Sequence, residues 1–228
     1  MKITVITLFP KMIESFFKES IIKRAQEKKL VEIEIVNLRD FAIDDYGSVD
    51  DKPYGGGAGM ILRADVVWAA LNKLKIKNSK LKIKKIITSP KGVTFNQDKA
   101  LEYSRLDHLI IVAGHYEGVD ERVLDYVNEE ISMGDFVMTG GEIPAAAITD
   151  AVVRLIPGVL KKKGATTQES FNFNNKKLLE HPQYTRPEVF KGKKVPDVLL
   201  SGDHKKIKDW QLKKAYEETL KKRKDLIS

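Results

Sequence analysis

The densest concentration of residues that could do chemistry is Ser132–Ala146, "SMGDFVMTGGEIPAA". A strand-like end runs through the glycine pair Gly140 and Gly141 into an alanine-rich helical segment, the usual seat of a small anionic ligand. Yet no lysine or arginine lies between Arg122 and Arg154 to meet a phosphate. The stretch therefore suits something small and not strongly anionic. Two other polar, glycine-bearing segments accompany it: "TSPKG" at 88–92 and "AGHYEGVDERV" at 113–123. Gly114, Gly118, Gly134, Gly140 and Gly141 let main-chain amides and carbonyls approach a flat ligand such as an adenine. Ile131, Met138 and Pro144 would supply apolar groups for its faces. Each glycine alone fits a plain turn equally well, but three such loops at neighbouring strand ends favour a site.

Other glycine patterns exclude the common nucleotide sites. "PYGGGAGM" (53–60) is followed by no Gly-Lys-Ser/Thr and does not match Gly-x-Gly-x-x-Gly. The first strand leads into "FPKM" instead of a glycine turn. ATP, NAD and any Rossmann-bound cofactor are thereby disfavoured.

The elements that must position these loops alternate along the first 160 residues. Strands are expected over Ile3–Phe9, Val31–Asn37, Ile83–Ser89, His108–Ala113 and Glu130–Met133. Helices are expected over Lys11–Lys28, Ala64–Leu74, Gln97–Ser104, Val119–Val127 and Glu142–Ile156. Such alternation argues for an α/β fold with a largely parallel sheet, whose ligands sit at the carboxyl ends of the strands. The stretch "PGVLKKKGATTQESFNFNN" (157–175) lacks periodicity and reads as an interdomain linker. Beyond it, 203–224 reads as a basic amphipathic helix, with Ile207, Trp210, Leu212 and Leu220 on one face.

Composition narrows the class. With no cysteine, disulfides, thiol catalysis and thiolate zinc sites are excluded. No apolar run approaches the roughly 20 residues that span a bilayer, and no basic-then-apolar leader is read, so a cytoplasmic protein with no membrane partner is expected. Residues 161–228 carry 18 Lys+Arg against 9 Asp+Glu, whereas residues 1–160 carry 22 against 23. The whole excess of +8 thus sits in the last third, which suggests a nucleic-acid partner. A generally lysine-rich composition, visible in "KLKIKNSKLKIKK" (73–85), is the competing explanation.

Five ordered motifs, "DDKPYGGGAGM", "AGHYEGVDERV", "ISMGDFVMTGGE", "HPQYTRP" and "VPDVLLSGDH", together resemble the bacterial tRNA (guanine-N1)-methyltransferase family of the knotted SPOUT class. The likeness covers nearly the whole chain. It implies a parallel sheet tied in a deep trefoil knot over 1–160, a linker at 161–175 and a small, mainly helical tRNA-binding domain at 176–228. Chain threading of this kind is so rare that periodicity could never have indicated it. The resemblance implies S-adenosylmethionine in the three loops. Its binding set would be Ser89, Pro90, Gly114, Tyr116, Glu117, Ile131, Gly134, Phe136, Met138, Gly140, Gly141 and Pro144. Glu117 or Asp135 would then face the sulfonium or the amine.

The implied reaction transfers methyl to N1 of guanosine 37 in tRNA. A base must remove the N1 proton. The family uses an aspartate in an Asp-Ser-Phe segment; here that segment is "QESF", so the aligned carboxylate is Glu169, one methylene longer. Arg154 is implied to orient guanine or carboxylate, although a pairing with Asp150 one turn away explains it too. Asp50, Tyr54, His181, Tyr184 and Arg186 are implied tRNA or guanine contacts. Lys213, Lys214, Lys221, Lys222 and Lys224 read as phosphate partners. His115 stands where many relatives carry arginine, and Asp203 where histidine is common. The family forms a homodimer with a shared active site, and Mg²⁺ accompanies its activity, though no ligand cluster in this sequence fixes a metal. An RNA-binding protein without turnover and a ribose methyltransferase are the alternative readings.

Overall fold

Strands covered on both faces read as near-continuous apolar runs, and the two most buried strands here carry "ITVIT" and "HLIIV". In the computed structural model, which describes residues 1–74, 80–161 and 164–227, they lie side by side at the centre of a sheet. The chain divides into two compact units, Met1–Lys161 and Lys162–Ser228.

In chain order the first unit comprises β1 (Lys2–Thr7), α1 (Lys11–Phe17), α2 (Ser20–Glu27), β2 (Glu32–Asn37), β3 (Asp50–Asp51), β4 (Ile61–Leu62) and α3 (Ala64–Lys73). It continues through β5 (Ile83–Thr94), α4 (Gln97–Tyr103), β6 (His108–Val112), β7 (Glu129–Ser132) and α5 (Glu142–Val153). Five strands pair in parallel in the order β2-β1-β6-β5-β7. One core cluster joins Ile3, Val5, Leu109 and Ile111 to α1, α2 and α5; the other joins Ile6, Ile110 and Val112 to α3. Successive strand residues thus feed opposite faces, as the pleat requires.

Three expectations are corrected. The single helix expected over Lys11–Lys28 is two, because Ser20 takes φ +52°. The break resets the helical phase, so that Ile13 and Phe17 on α1 and Ile22 and Ala25 on α2 all reach one cluster. Seventeen to twenty-two is five residues, which an unbroken helix would rotate off that face. The helix expected over Val119–Val127 is only a 3₁₀ segment, Glu121–Tyr126, with Arg122 N–H capped by the Asp120 side chain at 3.0 Å. Val119 is drawn instead into a bridge with Leu62, where Leu62 N–H donates to Gly118 O and Asp120 N–H to Leu62 O, both at 3.0 Å. Finally, β5 does not stop at Ser89. It continues to Thr94, and Thr88 and Val93 both pair with Ile131, so residues 89–92 bulge from the ladder. Part of the lysine-rich run, 75–79, lies outside the described residues, as do residues 162 and 163 of the lysine triplet.

The second unit contains β8 (Val189–Phe190), β9 (Lys193–Lys194), α6 (Asp197–Leu200) and α7 (His204–Lys222). Lys191 and Gly192, both at positive φ, turn the β8–β9 hairpin. Its small core is Phe173, Leu178 and Ala215 with Ile227 against them. Buried Thr219 accepts the Leu179 N–H at 2.8 Å and donates to Ala215 O at 2.6 Å, tying α7 to the preceding segment. Asp203 caps α7, its carboxylate accepting the N–H groups of Lys205 and Lys206 at 3.1 Å. The apolar face expected on α7 is shifted: Ala215 and Thr219 are its buried residues, while Leu212, Tyr216 and Leu220 are exposed.

Candidate cofactor-binding cleft

At the carboxyl edge of β5, β6 and β7 the three polar loops enclose a cavity of about 290 Å³, near the lower end of the usual size for small-molecule sites. The loop after β6 is pinned from below. Gly114 N–H donates to Thr88 Oγ1 at 3.1 Å, and that hydroxyl in turn donates to Val112 O at 3.4 Å. The glycine loop that opens α5 folds back on it: Gly141 N–H donates to Gly114 O at 2.6 Å, and Gly140 bridges His115.

Bare backbone is required at these contacts. A Cβ on Gly141 would stand 1.9 Å from Thr88 Oγ1 and 2.7 Å from Gly114 N. One on Gly92, in the β5 bulge, would meet the Glu130 backbone at 2.4 Å. Pro144 is accommodated in the first turn of α5, where a missing N–H costs nothing.

Of the twelve residues expected to hold the ligand, eleven line this one cavity: Ser89 and Pro90 from the bulge, Gly114, Tyr116 and Glu117 from the β6 loop, Ile131 at the end of β7, and Phe136, Met138, Gly140, Gly141 and Pro144 from the stretch into α5. Gly134 flanks it, at φ +137°, bonded through its N–H and carbonyl to Ser132 Oγ. Asp135 is exposed and outside the lining. Among the described residues, the lining carries Glu117, Glu121 and Glu130 against Lys91, so its field favours a cationic over an anionic ligand. Lys91 itself lies 3.9 Å from Glu121.

The loop at 53–60 approaches the same edge. Glu117 N–H donates to Met60 O at 3.0 Å, and Glu117 packs so closely on Gly59 that a Cβ there would sit 2.5 Å away. Asp50 is half-buried on β3, and Tyr54 is fully exposed at 101%. Arg154 is half-buried at the carboxyl cap of α5, its N–H donating to Asp150 O, and does not line the cavity.

In the second unit, Glu169 is half-buried in a bend whose carbonyl accepts the Asn172 N–H at 3.1 Å. His181 is only 8% exposed, edge-on to Phe173 and Trp210, whereas Tyr184 tilts against Trp210 from the outside and Arg186 is exposed. Lys214 pairs with Glu217 at 2.6 Å and Lys222 with Glu218. Among the described residues no group of three or more His, Asp or Glu converges as metal ligands, and no helix is long and apolar enough to cross a membrane.

Sequence reasoning missed Thr7, Thr88 and Glu142. Glu142 follows the glycine pair and reads as a solvated acid, yet it is fully buried. Nothing in its neighbours along the chain signals that.

Fold and cleft together define an α/β protein with a glycine-bearing cleft at the carboxyl edge of a parallel sheet. Comparison with known proteins gives the particular family. Residues 1–228 match the family described as tRNA (Guanine-1)-methyltransferase TrmD, and the chain belongs to it. It is 50% identical to the tRNA (guanine-N(1)-)-methyltransferase of Syntrophomonas wolfei over 100% of this chain and 90% of that protein. The namesake of Bacillus pumilus is also 50% identical, over 100% of this chain and 92% of its own, and that of Dictyoglomus turgidum 49%, over 100% and 90%.

Proposed function

We propose that this protein transfers a methyl group from S-adenosylmethionine to N1 of guanosine 37 in tRNA. Family membership over the whole chain is the observation that carries the methyl transfer to guanine N1 of tRNA. The residues present fit the donor. Glycines let the loops pack backbone to backbone around a cavity open to a flat adenosine, Lys91 is the one lysine or arginine of its described lining, and carboxylates line it for a cationic group. S-adenosylmethionine supplies an electrophilic methyl on a sulfonium, which N1 takes as the carbon–sulfur pair returns to sulfur.

The chain's own residues do the rest. Ser89, Gly114, Gly140 and Gly141 let the main chain close on the adenosine, with Ile131, Met138 and Pro144 on its faces. Glu117 faces the positive end. Glu169 accepts the N1 proton as the new bond forms, and Arg154 steadies the negative charge that grows on the guanine. The close packing of the glycine loop on the β6 loop supports the trefoil knot that the family resemblance implies.

The second unit, which includes the expected linker, grips the anticodon stem-loop through its lysines and Arg186, and Tyr184 and Asp50 help to present the guanine. The protein acts as a homodimer in which the linker of one protomer completes the cleft of its partner. Its place is the cytoplasm, where that tRNA is found. Incubation with methyl-labelled S-adenosylmethionine and a tRNA transcript carrying guanines at 36 and 37 tests the reading. Label on N1 of position 37, lost when that guanine is replaced, is expected; label on ribose or none at all would overturn it.

A further inference from the structure

One ionisable group at the cleft is used by none of these steps. Glu142 opens α5 and is 0% exposed. Burying a carboxylate is costly unless its oxygens are satisfied, so its partners show what the burial achieves. Thr7, at the end of β1, donates its hydroxyl to Glu142 Oε1 at 2.8 Å. The donation is directed, because Phe9 N–H occupies the acceptor side of Thr7 Oγ1 at 2.9 Å. The other oxygen, Oε2, lies 3.4 Å from His115 Nδ1. The His115 ring rests against Phe9, with centroids 4.6 Å apart. Gly140 leaves the gap open: a Cβ there would meet both Glu142 Oε2 and His115 Nδ1 at 2.4 Å.

We infer that Glu142 is a positioning residue for the cofactor, clamped by Thr7 from the sheet and holding His115 from the opposite side. The clamp joins three separate segments: the end of β1, the β6 loop and the glycine loop into α5. It lies directly beneath the Gly140–His115 bridge, and His115, Tyr116 and Gly140 line the cavity while Thr7 and Glu142 do not. The carboxylate therefore reaches the ligand only through the loops it aligns.

This inference rests on the cavity being the cofactor site. The test measures S-adenosylhomocysteine and tRNA affinity by calorimetry for wild type, Thr7→Val and Thr7→Ser, with circular dichroism to confirm folding. Thr7→Val keeps the shape but removes both the donor to Glu142 and the acceptor of the Phe9 N–H. It is expected to weaken S-adenosylhomocysteine about tenfold, the usual consequence of a buried acceptor left unpaired, with tRNA affinity within about twofold. Thr7→Ser restores the hydroxyl and is expected to return the affinity to near wild type. A folded Thr7→Val that binds S-adenosylhomocysteine like wild type would overturn the clamp alone, as would equal losses in the valine and serine variants. Should the valine variant fail to fold, Glu142→Gln decides, since its amide oxygen still accepts from Thr7 while an NH2 donor replaces the acceptor oxygen beside His115. A loss of about threefold is expected there, and unchanged affinity would overturn the clamp. No binding by the wild type would overturn the cofactor reading itself, and the clamp with it.

Discussion

The resemblance sets Glu169 against an aspartate one methylene shorter, and at this scale a displacement of about 1 Å can change a rate by about 10²-fold. Glu169 sits in a bend, half-buried, its carbonyl accepting the Asn172 N–H. If it is the base, Glu169→Gln should lower single-turnover methyl transfer by at least about 10²-fold while tRNA affinity stays within twofold, since a general base contributes about 10²–10⁴. Glu169→Asp should retain measurable transfer. A glutamine variant at wild-type rate would remove the assignment. His181, by contrast, is packed edge-on between Phe173 and Trp210, so its replacement should cost stability as well as any RNA contact it makes.

The elements around the cleft meet backbone to backbone. Gly141 is the sharpest case: its φ is −86°, which any residue adopts, so space alone demands glycine there. Gly141→Ala would force Thr88 and the Gly114 loop apart. Such overpacking typically costs about 1–3 kcal/mol. We expect a lower thermal midpoint and at least a tenfold weaker affinity for S-adenosylhomocysteine in the same variant; an alanine variant with unaltered affinity would show that the glycine loop does not form the site. On α7 the same scale corrects the amphipathic reading. Small residues, Ala215 and Thr219, pack inward because Thr219 must reach the Leu179 amide, and Leu212, Tyr216 and Leu220 are left outside.

Across the whole molecule, titratable groups at the sheet tie stability to pH. Burial, with the nearby Lys2 charge, holds His108 below the ordinary imidazole range, even though Glu34 and Glu32 act the other way. The Lys2 ammonium holds Glu34 below the carboxylate range. Burial opposes ionisation of Glu129, yet Lys84, Lys99 and Tyr103 together hold its carboxyl low as well. The signs agree. Neutral His108 is favoured in the folded state, so its contribution is complete above about pH 6.5 and declines as pH falls below that. The depressed carboxylates contribute above about pH 4.3 and are lost as pH falls through their lower folded values. Unfolding free energy should therefore fall in two acid steps, the first with a slope of up to about 1.4 kcal/mol per pH unit. Denaturant titrations from pH 8 to 3 check this, and His108→Gln should flatten only the first step. A first step unchanged in that variant would exclude His108 as its source.

Much of this protein is legible in its sequence because the signals are local. Continuous apolar runs such as "HLIIV" suffice for buried strands, alternation with helices for a parallel sheet, and glycine-bearing loops at strand ends for the cleft that they line. Motif order alone reached the family. What only the tertiary structure decided are the contacts between segments far apart in the chain. The break at Ser20 exists because α1 and α2 must serve one core. The β5 bulge exists because Gly92 lies against the Glu130 backbone. Glu142 is buried because Thr7, 135 residues away, ends its strand beneath the glycine loop. A carboxylate after two glycines is a surface acid in the sequence; only the packing of three loops can take it out of water and give it partners.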